Sequence, residues 1–228
     1  MKPLATVEEA PNPWFSWDYV VENYELLLDA GRQHIFLTVS SVLLALVVAF
    51  PLAFLVRRYR NLTGPVLGLS GLLYTIPSLA LISLLWPIFG LTPWTVILAL
   101  AVYALLVVLR NTVVGLDAVP ESAVDAARGM GMDDRQLLTR VQVPLAVPTI
   151  LAGVRIATVS TVGMVTIGAL VGYGGFGTLI LSGFQANFYH AQIMTATIAC
   201  VLLALIFELL LTLVERLLAP WSKLEWAE

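Results

Sequence analysis

Charged residues are scarce in this 228-residue chain: only 12% are Asp, Glu, Lys or Arg. Ordinary soluble domains carry about 25%. Hydrophobic residues make up 59% of the chain and the mean hydropathy is +0.91. These values exclude a soluble domain and predict an integral membrane protein. The few charges form no basic face and do not alternate with aromatic residues, so we expect no nucleic-acid partner.

Cysteine and the common catalytic motifs are also missing. The one cysteine, Cys200, lies in an apolar run, which excludes an internal disulfide and a Cys/His metal site. The sequence contains no GxxxxGK[ST], HExxH or GxSxG motif. We therefore expect a chain that is not an enzyme and binds no cofactor. His34 and His190 border apolar blocks, and we expect both at the outer membrane interface rather than on a metal.

Long uncharged blocks predict an all-α protein with five membrane spans. A helix needs about 20 apolar residues to cross the hydrocarbon core. The predicted spans are residues 33–56, 65–88, 94–109, 145–171 and 192–213. A glycine- and aromatic-rich outer loop is expected between the last two, over residues 172–190.

Basic residues give the orientation, because Lys and Arg are retained on the cytoplasmic side. With the N-terminus outside, all the following fall inside: Arg57, Arg58, Arg60, Arg110, Arg155, Arg216 and Lys223. We predict an extracytoplasmic segment over residues 1–32, a membrane domain over 33–220 and a cytoplasmic tail over 221–228. Residues 14–28 predict a helix, either interfacial or packed outside the membrane.

Two spans contain polar features. Tyr74-Thr75-Ile76-Pro77-Ser78 interrupts the second span, and proline frees a backbone carbonyl there. The break either lines a cavity or is a kink in which Ser and Thr bond back to their own helix. Glu208 lies deep in the last span, and we expect it to form a structural ion pair with Arg216. Arg155 is expected to extend to the cytoplasmic interface.

The charged segment 117–148 separates the third and fourth spans. Pro120 suits the first turn of a helix over residues 121–128, which Gly129 and Gly131 end. Asp133 or Asp134 can cap a second helix through Gln142, which Pro144 is expected to end. The pattern favours a rigid cytoplasmic lever over a solvated loop.

The same segment resembles the EAA signature of ABC importer permeases. Asp125-Ala126-Ala127 is followed after three residues by Gly131, and after nine more by Val141-Gln142-Val143-Pro144. The spacing is that of the signature, with Asp125, Val141 and Val143 as departures. The resemblance implies a type I ABC importer permease fold of five transmembrane helices with cytoplasmic coupling helices, in a coupling loop over about residues 115–144. The residues it assigns to ATPase coupling are Glu121, Asp125, Ala126, Ala127, Arg128, Gly129, Met130, Gly131 and Pro144.

Further stretches, YTIPSLALISLLWPIFG, VVLRNTVVGLDAVP, AARGMGM and GYGGFGTLI, resemble the glycine betaine, carnitine and choline osmoprotectant permeases. That resemblance spans about residues 37–220 and implies a prokaryotic cytoplasmic membrane. The implied partners are the lipid bilayer, ABC ATPase subunits that carry ATP and Mg, an external solute-binding protein, and a second or paralogous permease. The binding protein would hold a quaternary ammonium group in an aromatic cage.

A permease of this kind needs only a weakly polar path through nearly uncharged spans. The predicted path residues are Tyr74, Thr75, Pro77, Ser78 and Asn111. One alternative is an ABC permease for an amino acid or another small metabolite. Another is a secondary transporter or channel that works without ATP, which would need charges deep in the spans.

Overall fold

The structure, a computed structural model, describes residues 12–221, and every regular element in that range is helical. The helices are α1 (Trp17–Glu22), α2 (Tyr24–Arg58), α3 (Thr63–Thr75), α4 (Ser78–Phe89), α5 (Pro93–Asp117), α6 (Glu121–Gly129), α7 (Asp134–Leu137), α8 (Val143–Val165), α9 (Phe176–Gln185) and α10 (His190–Leu218). Three short turns join some of them: 3₁₀ turns over Arg60–Leu62 and Thr166–Val171, and a π turn over Leu138–Gln142. Of the predicted tail 221–228 only Trp221 is described, and residues 1–11 of the predicted outer segment also lie outside the described range.

Four helical stretches of the described range are long and apolar enough to cross a membrane. Helices α3 and α4 make a fifth if this bent pair counts as one span. The predicted all-α membrane fold is therefore confirmed. Helix bounds differ from the predicted ones: α2 begins at Tyr24, and α5 continues past Arg110 to Asp117. Charged residues mark where the apolar core ends, whereas the helical backbone continues beyond it into water.

The membrane core is formed by α2, α5 and α8. Ala45, Ala49 and Ala53 follow one another at four-residue spacing on α2 and are buried with Ala104 of α5 and Ala157 of α8. Small side chains let membrane helices approach closely, so that dispersion contacts hold them together. This core fixes the ends of α5 and α8 between which the coupling loop lies.

The prediction of an outer loop over residues 172–190 is wrong in one respect, because this segment contains helix α9. Phe176, Leu179 and Gly183 are buried at helical spacing along it. Gly172 and Gly175 have φ values of +85° and +53°, which glycine adopts readily, and they turn the chain into the helix. The many glycines conceal an ordinary amphipathic pattern in the sequence.

His34 was expected at the membrane interface, and the structure corrects this. Its side chain is fully buried. The ring accepts a hydrogen bond at Nδ1 from the Phe176 N–H, at 3.3 Å, and therefore donates from Nε2 to the Val162 carbonyl, at 2.9 Å. A Cβ on Gly175 would lie 2.6 Å from the His34 Cβ. His34 thus ties α2 to α8 and to the start of α9.

His190 lies at the start of α10 and has quite different surroundings. Its ring is half-exposed and stacks on Trp14, with ring centroids 4.2 Å apart. Its backbone N–H donates to the side-chain oxygen of Asn12, at 2.9 Å. The segment before α1 is thereby attached to the corner between α9 and α10.

Glu208 forms an ion pair, but its partner is Arg155 rather than the expected Arg216. Arg155 of α8 lies 3.5 Å from Glu208 and 3.3 Å from Glu215 of α10, and donates to the Thr212 hydroxyl at 3.1 Å. These three α10 residues lie on one face because they are spaced by four and three residues. Arg216 lies eight residues beyond Glu208, about 80° away around the helix.

Helix α9 packs so closely on the turn after α8 that Gly177 has no room for a side chain. A Cβ there would overlap backbone atoms of Thr166. We expect Gly177→Ala to cost roughly 1–3 kcal/mol in stability, because backbone must shift to admit the methyl group. A thermal denaturation curve of the detergent-solubilised protein measures this loss as a lower Tm.

Gly163→Ala is the matched control, because a Cβ on Gly163 has no neighbour within 4 Å among the described residues. This variant should keep or raise the Tm, since alanine is the better helix former. Equal Tm values for the two variants would contradict the close packing of α9.

Candidate functional site

Helix α6 carries most of the residues predicted for ATPase coupling, and it displays nearly all of them. Ala127 is the buried residue of this helix, at 1% exposure. Met130 follows the helix with 71% of its surface exposed. The exposed predicted residues are Glu121, Asp125, Ala126, Arg128, Gly129, Met130 and Gly131. Small side chains next to a protruding methionine and a carboxylate form a surface on which another protein can pack closely.

The end of α6 has a defined backbone geometry. Gly131 has φ +80°, in the left-handed region. The Met132 N–H bonds to the Ala127 carbonyl at 3.2 Å, and the Gly131 N–H bonds to the Arg128 carbonyl at 2.9 Å. This pair of bonds is a Schellman motif, which satisfies the last carbonyls of the helix and ends it with a fixed exit direction.

Helix α7 begins with a capping box. The Asp133 carboxylate accepts from the Gln136 N–H at 2.8 Å, and the Gln136 side chain accepts from the Asp133 N–H at 3.1 Å. The cap is thus Asp133, one of the two predicted candidates. The C-terminal end of α6 and the N-terminal end of α7 therefore both have hydrogen-bond partners, and the glycine corner between them has a defined geometry.

Pro144 does not end the second helix as expected, which is a correction. The chain stays helical from Asp134 to Val171, through the π turn Leu138–Gln142 and into α8. Proline lacks an N–H and crowds the preceding turn. The wider π turn just before Pro144 relieves that crowding, so the helix continues. The predicted coupling loop is consequently continuous with a membrane helix.

The start of the loop is held by what we call the Asp117 clamp, made of Arg57, Arg60 and Asp117. Arg57 donates to the Leu116 carbonyl at 3.0 Å and lies 3.4 Å from the Asp117 carboxylate, and Arg60 lies 3.2 Å from the same carboxylate. The clamp joins the end of α2 to the end of α5. Sequence reasoning treated the arginines only as an orientation signal and did not assign Asp117 a role.

Asp125 forms no ion pair and no side-chain hydrogen bond within residues 12–221. It lies exposed on α6, one turn before Arg128. An exposed carboxylate on a rigid helix is available to a basic group of another protein.

The polar break in the second span is a sharp bend. Helices α3 and α4 meet at 95°. Ile76 has an extended backbone, with φ −66° and ψ 126°, as the residue before proline prefers. The Ile76 carbonyl accepts a hydrogen bond from the Tyr103 hydroxyl of α5. The freed backbone group is satisfied by a neighbouring helix, which stabilises the bend.

The predicted path residues divide into two groups. Tyr74 contacts the Tyr103 ring edge-on at a centroid distance of 5.7 Å, and the Thr75 hydroxyl bonds back to the Leu72 carbonyl at 2.7 Å. Pro77 and Ser78 begin α4 beside them. Asn111 instead donates to the Val107 carbonyl of its own helix at 2.8 Å.

Asn111 also packs on α8, since a Cβ on Gly153 would overlap the Asn111 side chain. It lies eight residues after Tyr103 on α5, about 12 Å further along the axis. Within one chain the structure therefore groups Tyr74, Thr75, Pro77 and Ser78 and leaves Asn111 apart.

A metal site has no support in the part of the chain that the structure describes. No group of three or more His, Cys, Asp or Glu residues converges between residues 12 and 221.

Residues 35–223 match the family described as "Binding-protein-dependent transport system inner membrane component". The glycine betaine/carnitine/choline transport system permease protein OpuCD of Bacillus subtilis (strain 168) is 37% identical over 205 residues, which cover 90% of each chain. The osmoprotectant import permease protein OsmW of Salmonella typhimurium is 37% identical over 207 residues, covering 89% of this chain and 96% of OsmW. A carnitine transport permease protein, OpuCB of Listeria monocytogenes, is 36% identical over 200 residues.

Two solved transporter structures share the fold. An inward-facing structure of the MetNI methionine ABC transporter superposes with a TM-score of 0.76 at 20% identity, covering 86% of this chain and 98% of that chain. An amino acid ABC transporter superposes with a TM-score of 0.75 at 18% identity, covering 88% of this chain and 98% of that chain. At these identities the likeness establishes the arrangement of helices and nothing about the solute.

Gly131 and Gly129 form a matched pair for testing the loop corner. A Cβ on either one meets nothing within 4 Å among the described residues, and only Gly131 has a positive φ. Gly131→Ala should destabilise the corner by about 1–2 kcal/mol, because a left-handed backbone is strained for alanine. Hydrogen exchange over residues 121–142 should then be faster.

Gly129→Ala should leave that exchange unchanged or slow it, since it lies within the helix. Unchanged exchange in Gly131→Ala would contradict the corner geometry.

Proposed function

Because the chain belongs to the family of binding-protein-dependent transport system inner membrane components, we propose that it conducts a quaternary ammonium compatible solute of the glycine betaine, carnitine and choline class. The chain is a permease subunit of an ABC importer and not an enzyme. The observation that carries the solute class is the 37% identity to OpuCD and OsmW over about nine-tenths of this chain. OpuCD is named for glycine betaine, carnitine and choline, and OsmW for osmoprotectant import.

The family implies an ATPase partner and a solute-binding partner. In our proposal ATP and Mg bind to the ATPase, which docks on the exposed face of α6, and Asp125 meets a basic group there. Movement of α6 reaches the membrane along two connections. One is the continuous helix into α8, and the other is the Asp117 clamp to α2 and α5. This is the geometry that a lever driven by ATP binding requires.

The transport path is proposed to run between two permease subunits, either identical or paralogous. The bend at Ile76-Pro77 supplies its polar wall, with Tyr74, Thr75 and Ser78, and Asn111 contributes nearer the cytoplasmic end of α5. A quaternary ammonium group is attracted to aromatic faces, which Tyr74 offers at 42% exposure. Because the spans contain few charged side chains, the path offers no strong ion pair that would hold a zwitterion or a cation in place.

The orientation is proposed from the arginines. Arg57 and Arg58 end α2, Arg60 begins the 3₁₀ turn after it, and Arg128 and Arg135 lie on the coupling loop, all at one end of the helices. That end is cytoplasmic by the positive-inside rule, so the N-terminus lies outside a prokaryotic cytoplasmic membrane and the C-terminus inside.

Uptake by the reconstituted importer tests the solute class. The chain, its ATPase and its binding protein in liposomes should accumulate labelled glycine betaine, carnitine or choline when ATP is supplied to the ATPase side. Accumulation of amino acids in their place would overturn the solute class in favour of the runner-up. Uptake without ATP would overturn the coupling mechanism itself.

Asp125→Lys should abolish ATP-driven uptake while leaving membrane insertion intact, because it reverses the charge that α6 offers to the ATPase. Asp125→Glu should retain uptake, since it keeps the carboxylate and restores the usual residue of the signature. Uptake and co-purification of the ATPase are the two measurements. Normal uptake by Asp125→Lys would show that this residue has no part in coupling.

Ser78 and Ser83 allow a test of the path within one helix, α4. Ser78→Phe should lower the uptake rate at least tenfold by filling the bend, while the ATPase still co-purifies. Ser83→Phe, five residues along and about 140° around the helix, should leave uptake within twofold of the unaltered chain. Equal rates for the two variants would remove the bend from the path.

A further inference from the structure

A surface cleft of about 360 Å³ lies beside the coupling loop, and its lining is strongly basic. It opens between the end of α2, helix α6 and the start of α7. Three guanidinium groups line it, those of Arg57, Arg58 and Arg128, together with one carboxylate, Asp134. The proposed transport path does not use this cleft, and of its lining residues the EAA resemblance assigns only Arg128 to ATPase coupling.

The charges around the cleft are not balanced. Arg57 shares Asp117 with Arg60, so that carboxylate is already engaged by two cations. Arg58 and Arg128 are exposed and form no ion pair within residues 12–221. Counting the clamp, four guanidinium groups face two carboxylates. The cleft therefore has an excess of positive charge and guanidinium N–H donors whose hydrogen bonds an anion could accept.

The cleft also has an apolar side, which distinguishes it from a purely ionic patch. Phe54, Leu137 and Leu138 line it together with the arginines. Phe54 lies one helical turn before Arg58. Val47, seven residues before Phe54, and Leu43, four residues before Val47, continue the same face of α2. All three expose much of their surface, at 38% for Phe54, 55% for Leu43 and 69% for Val47. An apolar stripe thus leads along the span to the basic cleft.

The level at which the cleft lies in the membrane indicates which class of ligand it would bind. Arg57 and Arg58 follow directly on the uncharged run 33–56, so the cleft lies at the level of the lipid headgroups. Basic pockets between helices at this level bind anionic headgroups, and the guanidinium fork matches a phosphate. A phosphate in the cleft with an acyl chain along the α2 stripe accounts for both sides of the lining.

We propose that this cleft, lined by Arg57, Arg58 and Arg128, binds the phosphate of an anionic phospholipid. The lipid would join the first membrane helix to the coupling loop, since Arg58 belongs to α2 and Arg128 to α6. Anionic lipid content would then set the stiffness of that connection. Which leaflet supplies the lipid depends on the proposed orientation; the binding itself depends neither on that orientation nor on the solute.

The test is retention of lipid by the purified importer, chain and ATPase together, in native mass spectrometry. Phosphatidylglycerol and phosphatidylcholine with identical acyl chains are added in turn. Preferential retention of phosphatidylglycerol that weakens with salt supports the proposal without any substitution. Equal retention of the two lipids overturns it.

Substitutions locate the site. Replacing Arg58 or Arg128 by Gln should lower phosphatidylglycerol retention roughly fivefold for each charge removed, and the double variant should lose both contributions. Arg58→Lys keeps the charge and should retain most of the lipid. Arg140→Gln is the matched control, an exposed arginine on the adjoining π turn that does not line the cleft, and it should retain lipid fully.

Two further outcomes would each reject the lipid. If millimolar inorganic phosphate displaces phosphatidylglycerol completely, the cleft is a site for free phosphate. If the double Gln variant retains phosphatidylglycerol as well as Arg140→Gln does but loses the ATPase, the cleft is part of the ATPase interface.

Discussion

Backbone groups inside a membrane have no water to bond to, and two interruptions of the helices between residues 12 and 221 are bonded by side chains that replace it. The bend between α3 and α4 persists because the Tyr103 hydroxyl bonds to the Ile76 carbonyl. The turn into α9 is held by the Phe176 N–H on His34 and by the Gly175 N–H on the Gln33 side chain, at 2.8 Å. Both interruptions are therefore fixed parts of the fold.

The long-range plan of the molecule could be predicted because it follows from local composition. Uncharged runs predicted the spans, and glycine, proline and aspartate at set offsets predicted the two short helices of the coupling loop. The capping box at Asp133 and the left-handed Gly131 depend on neighbours two or three residues away, so the sequence contains all that determines them. The EAA spacing belongs to the same class of local signal.

Most failures of sequence reasoning share a cause, which is that the decisive partner lies far along the chain. The missed helix α9 and the helix that continues through Pro144 are local exceptions. His34 is buried because its ring forms hydrogen bonds with the backbone of Val162 and Phe176, which lie more than 120 residues away in the chain. Glu208 pairs with Arg155 because α8 packs against the face of α10 that carries Glu208. The helix continues through Pro144 by means of a π turn, which no single residue type predicts. Asp117 and Asn111 likewise acquire their contacts only when α2 and α8 are in place.

The placement of charge explains how a nearly neutral membrane body can respond to a partner in water. Most of the described charges that form pairs tie helices together, as in the Asp117 clamp and the Arg155 cluster. Several charges without an ion pair in the described residues, among them Asp125, Arg58 and Arg128, lie on the loop between α5 and α8 or beside it. In the proposed coupling, a force on α6 acts on a loop whose corner is set by the left-handed Gly131 and whose second helix begins with a capping box. Under that proposal the displacement passes to α8 through continuous helix and to α2 through the clamp. Packing of small alanines with buried Val108 and Leu109 holds α2, α5 and α8 closely together, so that a displacement of one of these helices acts on the other two.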